Sequence, residues 1–261
     1  MTKKILAILV IFAAISLPFL KYDVLPTIGD AESAPNSHVS DYYIENAEKD
    51  TNAPNLVTAV IVDYRAFDTL LETSVMFLAG MSAAIILSFK THPNKRAQSS
   101  NIKLGRFGNR EKDAALFYCR TKEIIISLLV PFLLIDALYV LFHGDLSIGG
   151  GFQAGALIGM AYLLDRLALP EKDIFYPITK NTAVAVAGAG TFIYALTGIV
   201  TLLGGGVFLE FSKIPLPVDA GELHFIGITM VEVGVTFGVA FTIITIITSM
   251  AERVSFDDDR S

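Results

Sequence analysis

Cysteine is almost absent. Cys119 is the only one in 261 residues, which excludes an internal disulfide and a cysteine-held iron–sulfur cluster. The four histidines, His38, His92, His143 and His224, follow no HExxH or CxxC-type spacing, so the chain has no zinc motif. No cofactor is expected, and any redox chemistry in a parent complex has to be carried by other subunits. Charge is also sparse, at 18% of residues against 53% apolar content and a mean hydropathy of +0.57. One soluble core of this size cannot use that much apolar material, and a bilayer is the natural solvent. The formal charge of -6 says little about partners because the two signs are segregated along the chain. Nucleic-acid binding is not expected, and no internal repeat or low-complexity tract is visible.

Crossing about 30 Å of hydrocarbon takes roughly 17–25 apolar residues. Runs of this kind occupy residues 5–20, 68–89, 123–142, 151–169, 182–203 and 223–250. The sequence therefore predicts an all-α integral membrane protein with about six transmembrane helices. The first run is short and follows Lys3 and Lys4, as a signal peptide does. No small-x-small cleavage site follows it closely, which favours an uncleaved anchor.

Basic residues set the orientation. Sixteen of the 20 Lys and Arg residues alternate to one side, nine of them between Lys90 and Lys122; only Lys21, Lys49, Arg65 and Lys213 fall on the other. Both termini are thus expected in the cytoplasm. Residues 21–54 are polar and acidic, with Pro26 and Pro35, and read as a partly helical external loop. Residues 56–62 are apolar but too short to cross, and read as a short lateral helix. The predicted organisation is an N-terminal membrane module at 1–97, a basic cytoplasmic linker at 98–122 and a four-helix membrane module at 123–261.

Gly149, Gly151 and Ala154 formally fit a GxGxxA dinucleotide fingerprint. That fingerprint needs a βαβ unit, whereas this run lies between two membrane spans; no GxxxxGK[ST] is present either. Gly149, Gly150 and Gly151 instead permit a tight hairpin. Gly151, Gly155 and Gly159 then recur every four residues, giving one helix face that admits close packing.

Ionisable side chains at the bilayer centre cost about 2.5–3.5 kcal/mol on insertion scales, so depth selects the candidates. Asp136 lies well inside 123–142, and Glu232 is embedded in Met230-Val231-Glu232-Val233-Gly234. Both are candidates for an ion or proton path. Asp68 and Glu72 share a face one turn apart at the start of the second span. His143, Glu222 and His224 stand at span boundaries, where histidine exchanges protons near neutral pH. Asp165 and Arg166 read as an interfacial anchor. For all of the embedded acids, an interhelical hydrogen bond or a contact with another subunit is the competing role.

Two stretches resemble a known family. Asn55-Leu56-Val57 with Val62-Asp63-Tyr64-Arg65-Ala66-Phe67-Asp68-Thr69-Leu70-Leu71-Glu72 resembles the small C-terminal region of the large A subunit of Mrp antiporters, a separate small subunit in related membrane-bound hydrogenases. His143-Gly144-Asp145-Leu146-Ser147-Ile148-Gly149-Gly150-Gly151-Phe152-Gln153-Ala154-Gly155 resembles the signature of the Mrp B (MnhB) subunit. The chain looks like a fusion of the two. It departs from the B pattern at Ile148, where proline is usual, at Ala154, where glycine is usual, and at Glu232, where aspartate is usual. The resemblance implies a bacterial or archaeal cytoplasmic membrane, other Mrp-like subunits as partners, including large antiporter-like ones, and coupled movement of Na⁺ and H⁺. It implies Na⁺ near Asp136 and Glu232, with Asp68 and Glu72 at an external mouth. Two alternatives stand beside an antiporter subunit: the same module in the ion-pumping arm of a membrane-bound hydrogenase or sulfur-reducing complex, and a non-conducting packing scaffold. In none of these is the chain an enzyme by itself.

Overall fold

A computed structural model describes residues 10–13, 15–16, 27–30, 32–33, 35–88, 109–168 and 178–258, with backbone alone at 35, 109–120, 167–168 and 252–258. Residues Met1–Asn46 and Ala47–Ser261 form separate compact units. Every regular element among the described residues is helical, as the composition predicts. The first unit holds helical residues at 10–13 and 15–16, a turn near Gly29, the π-helical turn Pro35–Val39 and the start of helix α1, Ser40–Thr51.

The second unit is a helical bundle. After α1, a lateral segment runs through Leu56–Thr58 into a π-helical stretch, Ala59–Tyr64. Asn55 caps its start by accepting a hydrogen bond from the Val57 amide. Then come α2 (Ala66–Ser88), α3 (Asn109–Phe142), α4 (Gly151–Ala168), α5 (Lys180–Leu203) and α6 (Ala220–Asp258). Thr179 caps α5 by accepting from the Thr182 amide.

Among the described residues, four stretches are long and apolar enough to cross a bilayer: Ala66–Ser88, Thr121–Phe142, Lys180–Leu203 and Ala220–Ala251. The run expected as a fourth span forms helix α4, but with Gln153, Asp165 and Arg166 within 18 residues it is not among these four. The expected span at 5–20 lies largely outside the described residues. So does the linker up to residue 108; its remainder is the first part of α3.

α6 is the hub, packing against α2, α4 and α5. Of its apolar window 61% is buried, against 17% in α2 and in α3. The α4 seam is set by the glycines. A methyl group on Gly155 would meet Val239 Cβ at 2.8 Å, and one on Gly159 would meet Ile243 Cβ at 2.9 Å. Backbone approach of this kind replaces the hydrophobic drive that lipid cannot supply. Gly190 on α5 meets Gly234 and Gly238 on α6 in the same manner, a second glycine crossing on the hub's other flank.

Alternating connections bring the Ala66, Phe142, Gly151, Leu203 and Ala220 helix ends to one end of the bundle, here the hairpin end. Ser88, Thr121, Ala168, Lys180 and Ala251 stand at the other, the basic end. There Lys180 Nζ on α5 donates to the Ala84 carbonyl (3.3 Å) and to Ser88 Oγ of α2. At the hairpin end the Tyr194 hydroxyl donates to the Ala66 carbonyl at 2.6 Å.

Candidate functional site: a buried carboxylate beside a glycine hairpin

The connection between α3 and α4, residues 143–150, is a tight hairpin. The Gly150 amide donates to the Val140 carbonyl at 3.1 Å. Gly150 has φ +124°, a conformation that L side chains rarely adopt. Gly144 and Gly149 pack so closely that a Cβ on either would strike backbone atoms. Glycine is therefore needed for the turn itself, independently of any phosphate chemistry.

The lateral segment grips this hairpin. The Asn55 amide donates to the Asp145 carbonyl at 2.9 Å, and its side-chain Nδ2 donates to the carbonyls of Gly144 (2.8 Å) and Ser147. The Thr58 hydroxyl donates to the same Gly144 carbonyl at 2.6 Å. Three hairpin carbonyls are thereby satisfied from a segment more than 80 residues earlier in the chain. In sequence Asn55 belongs to the resemblance but has no task; nothing local marks it as the clamp.

Glu232 comes up beneath the clamped hairpin from α6. It is 6% exposed, and among the described residues its carboxylate has no hydrogen-bond or ion-pair partner. Its Oε1 lies 3.1 Å from where a Cβ of residue 150 would stand, so only glycine there leaves the carboxylate room. The carboxylate lines a cavity of about 110 Å³ with Thr58, Thr69, Gly149, Gly150 and Gln153. This volume accommodates a few waters or a partly hydrated small cation. Asp145 acts on Glu232 electrostatically, and its own Oδ1 is buried without a hydrogen bond. The polar part of the cavity wall is one carboxylate, two threonine hydroxyls, a glutamine amide and glycine backbone; the rest is apolar, with Val57, Ile61, Phe152, Val231 and Val235. Oxygen atoms of this kind suit protons, water and hard cations.

The other acids singled out in the sequence lie elsewhere. Asp136 is exposed on the outer face of α3, among exposed Phe132, Ile135 and Tyr139. Asp68 is exposed and bridged to Arg65 at 2.6 Å; Glu72 and Glu222 are exposed. His143 stacks on Tyr139 with ring centroids 4.9 Å apart. His224 faces Asp63 at 2.5 Å, both partly buried, in a pair that ties the π-helical stretch to the first turn of α6. Its partner cannot be read from sequence because the two are 161 residues apart.

Fold and site together define a polytopic helical membrane subunit that holds a buried acid beneath a hairpin clamped by an upstream segment. Two family models match on either side of the basic stretch: a domain related to the MnhB subunit of Na⁺/H⁺ antiporters over residues 122–245, and the MbhE component of MBH over residues 2–100. The antiporter subunit mnhB2 of Staphylococcus haemolyticus is 34% identical over 133 residues, covering 49% of this chain and 89% of that protein. In the Mrp complex of Dietzia sp. DQ12-45-1b, one chain matches with a TM-score of 0.65 and 27% identity, over 82% of this chain but only 22% of that one. A chain of an archaeal membrane-bound sulfane sulfur reductase matches with a TM-score of 0.61 and 27% identity, over 96% of this chain and 98% of that one. The chain belongs to the MnhB family of Na⁺/H⁺ antiporter subunits, here joined to an MbhE-like N-terminal region.

Proposed function

We propose that this chain is a membrane subunit of an Mrp-type Na⁺/H⁺ antiporter module, and that the Glu232 cavity lies on its cation or proton path. One observation carries the reading: a nearly buried carboxylate, unpartnered among the described residues, faces a small cavity edged by Thr58, Thr69 and Gln153 instead of a fixed counter-ion. A carboxylate held only for packing is stabilised by a permanent partner. A carboxylate that exchanges a proton or a cation is served better by water-sized space and hydroxyl groups. Glu232→Gln keeps the shape and removes the charge. In complexes that still assemble, it is expected to abolish Na⁺/H⁺ exchange in proteoliposomes; wild-type exchange removes Glu232 from the path and leaves a scaffold role.

In this reading the hairpin end faces outward and the basic end faces the cytoplasm, as the Lys and Arg distribution requires. The membrane is the cytoplasmic membrane of a bacterium or archaeon. Residues 1–97 and 123–261 act as two modules joined by the basic stretch. Asp136 is not a second station beside Glu232, because it faces away from this chain's own core. An acid at that depth needs cover, so α3 docks with its outer face on a neighbouring membrane protein that brings a cationic or hydrogen-bonding group to Asp136.

A second reading is the ion-pumping arm of a sulfur-reducing or hydrogenase complex. The near-complete mutual coverage with the sulfane sulfur reductase chain favours it. Purification of the native complex separates the two: co-purifying iron–sulfur subunits indicate redox coupling, and their absence indicates an antiporter.

A further inference from the structure

Two side-chain oxygens from different helices flank the space that Gly150 keeps open. A Cβ on residue 150 would stand 3.1 Å from Glu232 Oε1 of α6 and 3.6 Å from Gln153 Oε1 of α4. Gln153 is exposed and lines the same cavity as Glu232, so it stands at the mouth and the acid stands inside. A glutamine three residues past a helix cap can reach back to the cap's amide. Here the Gly150 amide already donates to the Val140 carbonyl at 3.1 Å, and among the described residues the Gln153 side chain makes no hydrogen bond. Helix capping therefore does not account for an amide oxygen turned toward the carboxylate.

The two threonines on the wall sharpen the chemistry. Thr58 donates its hydroxyl proton to the Gly144 carbonyl at 2.6 Å, and Thr69 donates its own to the Ile61 carbonyl at 2.7 Å. A hydroxyl has one proton, so each can offer the cavity only lone pairs. An ionised carboxylate is acceptor-only as well, and Gln153 presents its carbonyl oxygen. Glu232, Thr58 and Thr69 are buried and Gln153 is at the mouth; all four side-chain oxygens act as acceptors. A guest that satisfies them carries positive charge. Proton uptake needs one oxygen, whereas a second, uncharged oxygen turned to the same point is what coordination of a hard metal cation uses.

We infer that Glu232 and Gln153 together bind an alkali-metal cation of Na⁺ size beside Gly150, with the Gln153 carbonyl as the mouth ligand that sets ion selectivity. This rests on the reading that the Glu232 cavity lies on the translocation path, and it names the cargo of that cavity. The ion exchanges part of its water shell first for the Gln153 carbonyl and then for the carboxylate, with Thr58 and Thr69 oxygens and retained water on the inner side. Cation and carboxylate neutralise each other, which the apolar remainder of the wall requires. A proton on Glu232 and a cation beside it exclude one another, so the two ions use one carboxylate in turn.

The test uses the whole complex in proteoliposomes, with exchange measured against Na⁺ concentration at several fixed pH values. Gln153→Leu keeps the bulk and removes the oxygen. It is expected to raise the KM for Na⁺ about tenfold, the loss of one ligand to a charged group, and to change KM more than the maximal rate. Gln153→Glu returns an oxygen and is expected to restore the KM while altering the preference between Na⁺ and Li⁺. Equilibrium binding of radioactive Na⁺ to the purified complex is expected to fall in Gln153→Leu and, in the wild type, on acidification. A wild-type KM for Na⁺ in Gln153→Leu overturns the inference. So does a displaced pH profile with that KM unchanged, because Gln153 would then serve the protonated acid. If Gln153→Leu does not assemble, Gln153→Asn, which draws the oxygen back by one methylene, decides in the same way. Glu232→Gln in parallel keeps the failures apart: an inactive Glu232→Gln with a wild-type KM in Gln153→Leu leaves Glu232 on the path and removes only the cation site.

Discussion

Thr58 and Gly144, 86 residues apart in sequence, meet through a hydroxyl-to-carbonyl hydrogen bond of 2.6 Å. This bond ties the region that resembles one family to the signature hairpin of the other. The two regions are therefore one structural unit around Glu232, and the cavity has walls from both.

Removing that tie should loosen the hairpin. The Gly144 carbonyl keeps one donor when the other is removed, so each lost bond costs about 0.5–1.5 kcal/mol. Thr58→Val and Asn55→Ala are each expected to lower the melting temperature of the detergent-purified complex, and to increase protease cleavage within 143–150. Cleavage no faster than in the wild type would mean that the hairpin is held by its own turn geometry.

The glycine seam gives a graded prediction. Gly155→Ala places a methyl group 2.8 Å from Val239 Cβ, whereas Gly188→Ala meets only the Phe77 ring at 3.3 Å. Overpacking costs about 1–3 kcal/mol where neighbours cannot yield, and a ring edge yields more readily than a helix-borne Cβ. Thermal denaturation should show Gly155→Ala clearly destabilised and Gly188→Ala close to wild type.

Tyr194 is fully buried, and its hydroxyl reaches the Ala66 carbonyl. Tyr194→Phe leaves that carbonyl short of a donor with the ring packing intact, an expected loss of about 1–1.5 kcal/mol. Equilibrium unfolding in mixed micelles can measure it. An unchanged midpoint would show that water replaces the hydroxyl.

Asp136 predicts an interface. Asp136→Leu adds apolar surface to an outer face that is already apolar, so the isolated chain should express and melt normally. Co-purification of neighbouring membrane subunits should fall several-fold. If the assembled complex is recovered in wild-type yield, the outer face of α3 is not the docking surface.

The Asp63–His224 contact is suited to a double-mutant cycle. Residues in direct contact couple by about 0.5–3 kcal/mol. Asp63→Asn, His224→Gln and the pair, compared by unfolding midpoint, are expected to be non-additive within that range, and additive losses would mean the contact contributes nothing of its own.

Run length makes the four long apolar helices legible in sequence. Glu232 is legible for the simplest reason, an acid amid a long apolar run. Asp165 reads as an interfacial anchor in sequence, and its burial, 3% exposed, comes from the packing of neighbouring helices that a single run cannot show. Asp136 looks equivalent to Glu232 in sequence because rotational facing cannot be read from a run that is apolar all round. The Asn55 clamp and the Asp63–His224 pair are hidden by contacts that skip 86 residues or more.

The 39 residues of α6 make a rod of about 58 Å at 1.5 Å per residue, nearly twice the thickness of the lipid slab it crosses. α3 runs 12 residues beyond its apolar stretch Thr121–Phe142, at the same end at which α6 continues past Ala251. A protein docked on these two projecting shafts would hold the handle of a crank whose far arm is Glu232. A small turn applied beyond the lipid would then be felt beneath the hairpin without any hinge in between.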